Sequence, residues 1–191
     1  MYGGDPDGGG GGVDVMVDCH KLFSVAEAVR VARRLEGVKL RWYEEPVAPE
    51  KLAETVAIGT QIRQPMAGGE MLFGVDGFAP LCRKHAVAVI MPDVKHCGGM
   101  LTLTHISGMA ASYGVAVAQQ NPSGPVSTAA TGQGAAGVNN CEISEMQWGE
   151  VEWREELVAP AERFQEGEII LGERAGLGIG LNEELARRNR L

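Results

Sequence analysis

The sequence predicts an α/β fold with a parallel sheet, closed as a barrel or left open and doubly wound. Three observations predict it. Short apolar runs alternate at least six times with segments of helical periodicity. The run Val-Ala-Val-Ile-Met at 87–91 is apolar with little alternation, as in parallel strands covered on both faces. The polar residues suited to chemistry follow these runs, at the carboxyl ends where both architectures place their sites.

The first twelve residues, MYGGDPDGGGGG, hold seven glycines and are expected to be a flexible, disordered leader. No Gly-Lys-Ser/Thr follows, so this is not a phosphate loop. A first strand is expected at 13–17. Ser24 and Glu27 form a capping box for a helix over 25–35, with Arg30, Arg33 and Arg34 on its outer side and Gly37 ending it. A second strand is expected at 38–43. Pro46 and Pro49 shape the loop before a helix at 50–58. A short third strand at 65–67 leads to a helix at 77–85, which puts Pro80 in the first turn, where a missing N–H costs nothing. After the 87–91 strand come a helix over 100–113, a strand at 115–118, a small-residue helix over 126–137 and a strand at 141–144. Beyond Trp148 the alternation breaks. Residues 162–170 and 177–181 read as short extended pieces, and 183–190 as a charged helix.

At 191 residues and 45% apolar content the chain can bury a proper core. A formal net charge of −8 argues against nucleic acid or an anionic membrane surface as partner. An anionic substrate would need local positive charge from a metal or a lysine. No apolar run reaches the ~20 residues of a membrane span, and no secretory signal pattern is present. Cys19, Cys82, Cys97 and Cys141 are scattered without a C-x-x-C pair, which suits reduced thiols and a cytoplasmic location.

Asp18, Glu44 and Glu70 each close a short run, and each is 26 residues from the next. That interval is about one strand-plus-helix unit, so successive strand ends would bring the three carboxylates to one rim. Together they would repel one another unless a cation sat between them. Oxygen-only ligands favour magnesium or a similarly hard ion. The competing reading is that each acidic residue caps the helix that follows it.

Several motifs occur in order: Val-Asp18-Cys-His20, Trp-Tyr-Glu44-Glu45-Pro46, Gly-Gly-Glu70, Pro92-Asp93-Val-Lys-His-Cys-Gly98-Gly99 and Asn121-Pro-Ser-Gly-Pro125. In this combination the chain resembles the enolase superfamily, in its mandelate racemase-like and acid-sugar (galactonate-type) dehydratase group, from about Val13 to about Leu181. The resemblance implies a partial (β/α) TIM-like barrel of about six units at 13–150, with Mg2+ held by Asp18, Glu44 and Glu70. It makes 151–191 a C-terminal extension, and it implies that the family's N-terminal capping domain is absent and the barrel truncated. It also implies a small carboxylate, a sugar acid, as substrate and assembly into a homo-oligomer. The shared reaction is removal of the proton next to a carboxylate through an enediolate, here dehydration.

Asp93 is the expected base, or part of it. In the resembling group an Asp here pairs with a His on the next strand, but the matching position is Gln120, 27 residues on, and an amide accepts no proton at neutral pH. An Asp with an ordinary pKa near ~3.9 is a weak base without help, and Asp93 could instead cap a helix after Pro92. His20 matches a residue that protonates a departing hydroxyl, a role suited to imidazole; a hydrogen-bonded structural His is the alternative. Glu145 matches a carboxylate capping the last strand, able to donate to the substrate carboxylate if protonated, or it is a solvated loop residue. Glu45 is expected to support the site by hydrogen bonding. Lys95 reads as a flexible surface lysine, with orientation of a carboxylate as the alternative. Two other functions stay open: racemisation or epimerisation of a 2-hydroxy acid, and a non-catalytic remnant that binds metal or a partner. Gly132-Gln-Gly134-Ala-Ala-Gly137 fits G-x-G-x-x-G, but no apolar strand precedes it, and close helix packing explains the glycines.

Overall fold

The computed structural model describes residues 13–189, and the glycine-rich leader lies outside the described residues. The described residues fall into two compact units. One runs to Gly68 and takes in Ala86–Ala88; the other comprises Gly69–His85 and everything from Val89 on.

The first unit holds β1 (Met16–Asp18), α1 (Val25–Arg34), β2 (Trp42–Glu44), α2 (Leu52–Gly59) and β3 (Met66–Gly68). β1 pairs parallel to β2, and β2 parallel to β3. The capping box of α1 forms as expected: the Ser24 side chain accepts from the Glu27 amide, and the Glu27 carboxylate accepts from the Ser24 amide at 3.0 Å. Ala28, Val29 and Ala32 form its buried face, with Arg33 and Arg34 in the last turn. The Tyr43 hydroxyl donates to the Ala28 carbonyl at 3.3 Å, tying α1 to β2.

The second unit holds α3 (Gly74–Arg83), β4 (Val89–Ile90), α4 (Met100–Ser112), β5 (Ala116–Gln119), α5 (Pro125–Ala136) and β6 (Cys141–Ser144). β4, β5 and β6 pair parallel in chain order. Phe78, Leu81, Ile90, Leu103, Ile106 and Val117 are fully buried in it. Each such side chain contributes roughly 1.5–3 kcal/mol on burial. The remaining elements are β7 (Val158–Ala159), β8 (Phe164–Gln165), β9 (Glu168–Ile169), β10 (Gly180–Leu181) and α6 (Glu183–Arg188). β8 and β9 form an antiparallel hairpin, and β10 runs antiparallel to β7.

The predicted α/β class holds and β6 falls where expected, but β1, β2 and β4 are shorter than expected, and β1, β2, β3 and β5 each end one residue later. Gly37 does not end α1; it sits inside a 3-10 turn at Glu36–Val38, and Lys39 turns the chain with φ +54°. Val38 is therefore left exposed rather than opening β2. The shift places Asp18 and Glu44 as the last residues of β1 and β2. α3 also starts earlier than expected, so Pro80 falls mid-helix. There its ring crowds the preceding turn and supplies no N–H, while Phe78, Ala79, Leu81 and Cys82 hold that turn in the core.

Candidate active site

In the first unit the rim is built on register. Asp18 pairs with Glu44 across β1 and β2, so the two side chains leave the sheet on one face. The loops beyond them stay joined, through Cys19 N–H to the Glu44 carbonyl at 3.0 Å and Lys21 N–H to the Glu45 carbonyl at 2.7 Å. This join forces His20, Lys21 and Glu45 to positive φ of 49°, 65° and 33°. Such strain in non-glycine residues persists only where surrounding bonds over-determine it, and it gathers at functional sites.

His20 folds back on Asp18. Its amide donates to Asp18 Oδ1 at 2.9 Å, and its Nδ1 lies 2.6 Å from Oδ2. A proton on Nδ1 in that contact makes Nε2 the basic nitrogen of the neutral ring. Trp42 Nε1 donates to Glu44 Oε2 at 3.2 Å. Glu45 is buried, with Lys21 Nζ 3.0 Å from its Oε2. Burial, with the Asp18 and Glu44 charges adding to it, pushes the Cys19 thiol above its ordinary range despite a hydrogen bond with Tyr43. The Asp18 and Glu44 carboxylates present oxygen donors here.

In the second unit Asp93 lies just past β4, and a parallel bridge joins it to Gln120, just past β5. The 27-residue spacing did identify true neighbours. Asp93 is not a helix cap; α4 is capped at Gly99. It is almost fully buried at 1% exposure, accepting the Lys95 amide on Oδ1 at 2.7 Å. Lys95 Nζ lies 3.0 Å from Oδ2 and also donates to the Ser123 hydroxyl. Lys95 is at the surface as expected, but its ammonium is paired with the buried Asp93 carboxylate. Glu145 Oε2 accepts the Asn121 amide at 2.9 Å, and Asn121 Nδ2 donates to Thr128 Oγ1 at 2.9 Å. Asn121 and Thr128 are buried.

Of the sequence-expected metal ligands, Asp18 and Glu44 come together in register, while Glu70 belongs to the second unit, two residues past β3. Among the described residues no group of three or more His, Cys, Asp or Glu side chains is already gathered to hold an ion. The register-paired carboxylates fit a hard divalent cation in their donor chemistry. Sequence reasoning missed Arg154, whose guanidinium reaches both Ser123 and Thr128. Its one legible signal was Glu150 at i−4. The glycines of 132–137 lie in or just beyond α5, where close packing and not a phosphate turn accounts for them: an added Cβ would stand 2.9 Å from Leu171 Cδ2 at Gly132 and 2.7 Å from Leu103 Cδ2 at Gly134.

A model of the Enolase C-terminal domain-like family matches residues 7–185. The D-xylonate dehydratase of Haloferax volcanii is 34% identical over 169 residues, 88% of this chain and 41% of that protein. The D-gluconate/D-galactonate dehydratase of Picrophilus torridus is 29% identical over 182 residues, 94% of this chain and 46% of that protein. Among solved structures, a mandelate racemase/muconate lactonizing enzyme-like protein from Rubrobacter xylanophilus matches with a TM-score of 0.89 at 33% identity, over 94% of this chain and 46% of that one. The chain spans less than half the length of each of these relatives. Its parallel strands and intervening helices are those of a partial TIM-like barrel. The chain belongs to the Enolase C-terminal domain-like family, within the enolase superfamily, and its similarities run to the galactonate-type sugar-acid dehydratases.

Proposed function

We propose that this chain carries the catalytic rim of a sugar-acid dehydratase, which removes the proton next to a carboxylate and expels the neighbouring hydroxyl as water. The observation that carries this reading is the register pairing of Asp18 with Glu44, with the His20 imidazole 2.6 Å from Asp18. The names of the relatives support the substrate class. Asp18, Glu44 and Glu70 would hold a Mg2+ ion. When bound, that ion supplies positive charge to the substrate carboxylate as its oxygens gain electron density.

The protein's own groups do the rest. Asp93 accepts the α-proton, after Lys95 leaves its Oδ2 for the substrate carboxylate. The C–H electrons form a C=C bond as the C–O bond breaks. His20, entering the step as the imidazolium, gives its Nε2 proton to the departing oxygen, which leaves as water, and the enol tautomerises to a 2-keto-3-deoxy acid. Gln120 replaces a second proton-transfer group with an amide, which favours dehydration over a two-base racemisation. Glu145 orders the rim through Asn121 and faces the substrate carboxylate. A homo-oligomeric, cytoplasmic protein belongs to the same proposal.

The test is turnover of xylonate, galactonate, gluconate and arabinonate with Mg2+ or with chelator, read by the 2-keto-3-deoxy product. Metal-dependent product from at least one acid is expected, with kcat falling about 100-fold or more in His20→Asn. Metal binding without product from any acid would replace this reading with the non-catalytic one.

A further inference from the structure

Arg154 opens a 3-10 turn in the C-terminal region. It is buried at 6% exposure. Its guanidinium pairs with both oxygens of Glu162, Nε to Oε2 at 2.7 Å and Nη2 to Oε1 at 2.9 Å. Nη1 donates to the Glu150 carboxylate and to the Ser123 carbonyl, the latter at 3.1 Å. Nη2 also donates to Thr128 Oγ1 at 2.9 Å. Burial opposes the charge, but Glu162 and Glu150 outweigh it and hold the guanidinium in its charged form.

A buried ion pair of this kind is weak evidence of stabilisation, since apolar replacements are often as stable. What it does fix is geometry. Two of its four partners, Ser123 and Thr128, lie just before α5 and in its first turn. Ser123 Oγ accepts from Lys95 Nζ, the group lying 3.0 Å from Asp93 Oδ2. Thr128 accepts from Asn121, whose amide is held by Glu145. The chain of contacts thus runs from Glu162 through Arg154 and Ser123 to Lys95 and Asp93, wholly within the second unit.

We propose that Arg154 is a positioning residue: through Ser123 it holds Lys95 over Asp93 and so sets how readily Asp93 is uncovered. Its meaning for catalysis rests on the role proposed for Asp93. The contact itself is testable without substrate. In the full chain, acylation of Lys95 by an N-hydroxysuccinimide ester is followed by mass spectrometry, with Lys51, an exposed lysine paired to Glu54 at 3.4 Å, as internal reference. Arg154→Met is expected to speed Lys95 labelling about fivefold relative to Lys51, the effect of losing roughly one hydrogen bond. Ser123→Ala is expected to do the same, and Arg154→Met to add nothing in that background. Arg154→Lys should restore part of the protection. An unchanged Lys95 rate in folded Arg154→Met, or effects that multiply in the double variant, would overturn the proposal. Should Arg154→Met not fold, Glu162→Gln weakens the hold on the guanidinium at the start of this path while keeping Arg154, and an unchanged Lys95 rate there overturns it equally. A coupling that behaves as expected in a chain without turnover would refute the catalytic reading and leave the Arg154 linkage standing; turnover without the coupling would do the reverse.

Discussion

Glu45 occupies space that exists because residue 68 has no side chain. A Cβ there would stand 2.8 Å from Glu45 Cγ, against a side chain already buried and paired with Lys21. Gly68→Ala is therefore expected to cost on the order of 1–3 kcal/mol through overpacking. An unchanged denaturant midpoint with unchanged slope would contradict this. Burial likewise pushes the Cys82 and Cys97 thiols up to about 11, from 9.0. Below pH 9.0 folded and unfolded chains both keep these protons. Between 9.0 and about 11 the unfolded chain releases protons that the folded chain retains, so stability is full below that window and lost as pH rises through it. The Tm should fall more steeply over this range in the wild type than in Cys82→Ala/Cys97→Ala; parallel curves would refute the linkage. At this scale legibility was uneven. Asp18, Glu44, Asp93 and Gln120 could be placed because βα units have a characteristic length. Lys95 and Arg154 could not, because their partners Ser123 and Thr128 depend on how the 121–125 loop folds.

Among the elements, α5 shows why a glycine motif misleads. Gly132 and Gly134 lie on a helix that must approach two different neighbours. The neighbour of Gly132 is Leu171, 37% exposed and able to swing away, whereas that of Gly134 is Leu103, fully buried. Gly132→Ala should be neutral or stabilising by up to about 1 kcal/mol, from helix propensity. Gly134→Ala should lose roughly 1 kcal/mol net, because overpacking exceeds that gain. Equal effects in urea melts would show that the two contacts do not differ as described. The helix starts were readable where side-chain chemistry marks them, as at Ser24 and Glu27. Helix boundaries were misplaced where the mark was a lone Gly or Pro. Gly37 and Pro80 are strong punctuation in isolation, but the 3-10 turn at 36–38 and the buried face of α3 overrode them.

For the molecule as a whole, the alternation of apolar runs with helical segments revealed the α/β class, because short buried parallel strands need no alternation of their own. The C-terminal region was the hardest part to read. Its strands are two residues long and pair antiparallel, β7 with β10 and β8 with β9, which is too short for any periodicity. The proposed Mg2+ ligands are tested on the whole chain. Calorimetric titration with Mg2+ of the wild type and of Asp18→Asn, Glu44→Gln and Glu70→Gln tests them directly. One ion per chain is expected in the wild type, with affinity reduced at least about tenfold, ~1.4 kcal/mol, in each variant. Equal affinity in all four proteins, or no binding in the wild type, would contradict the assignment of these three residues as one cation site.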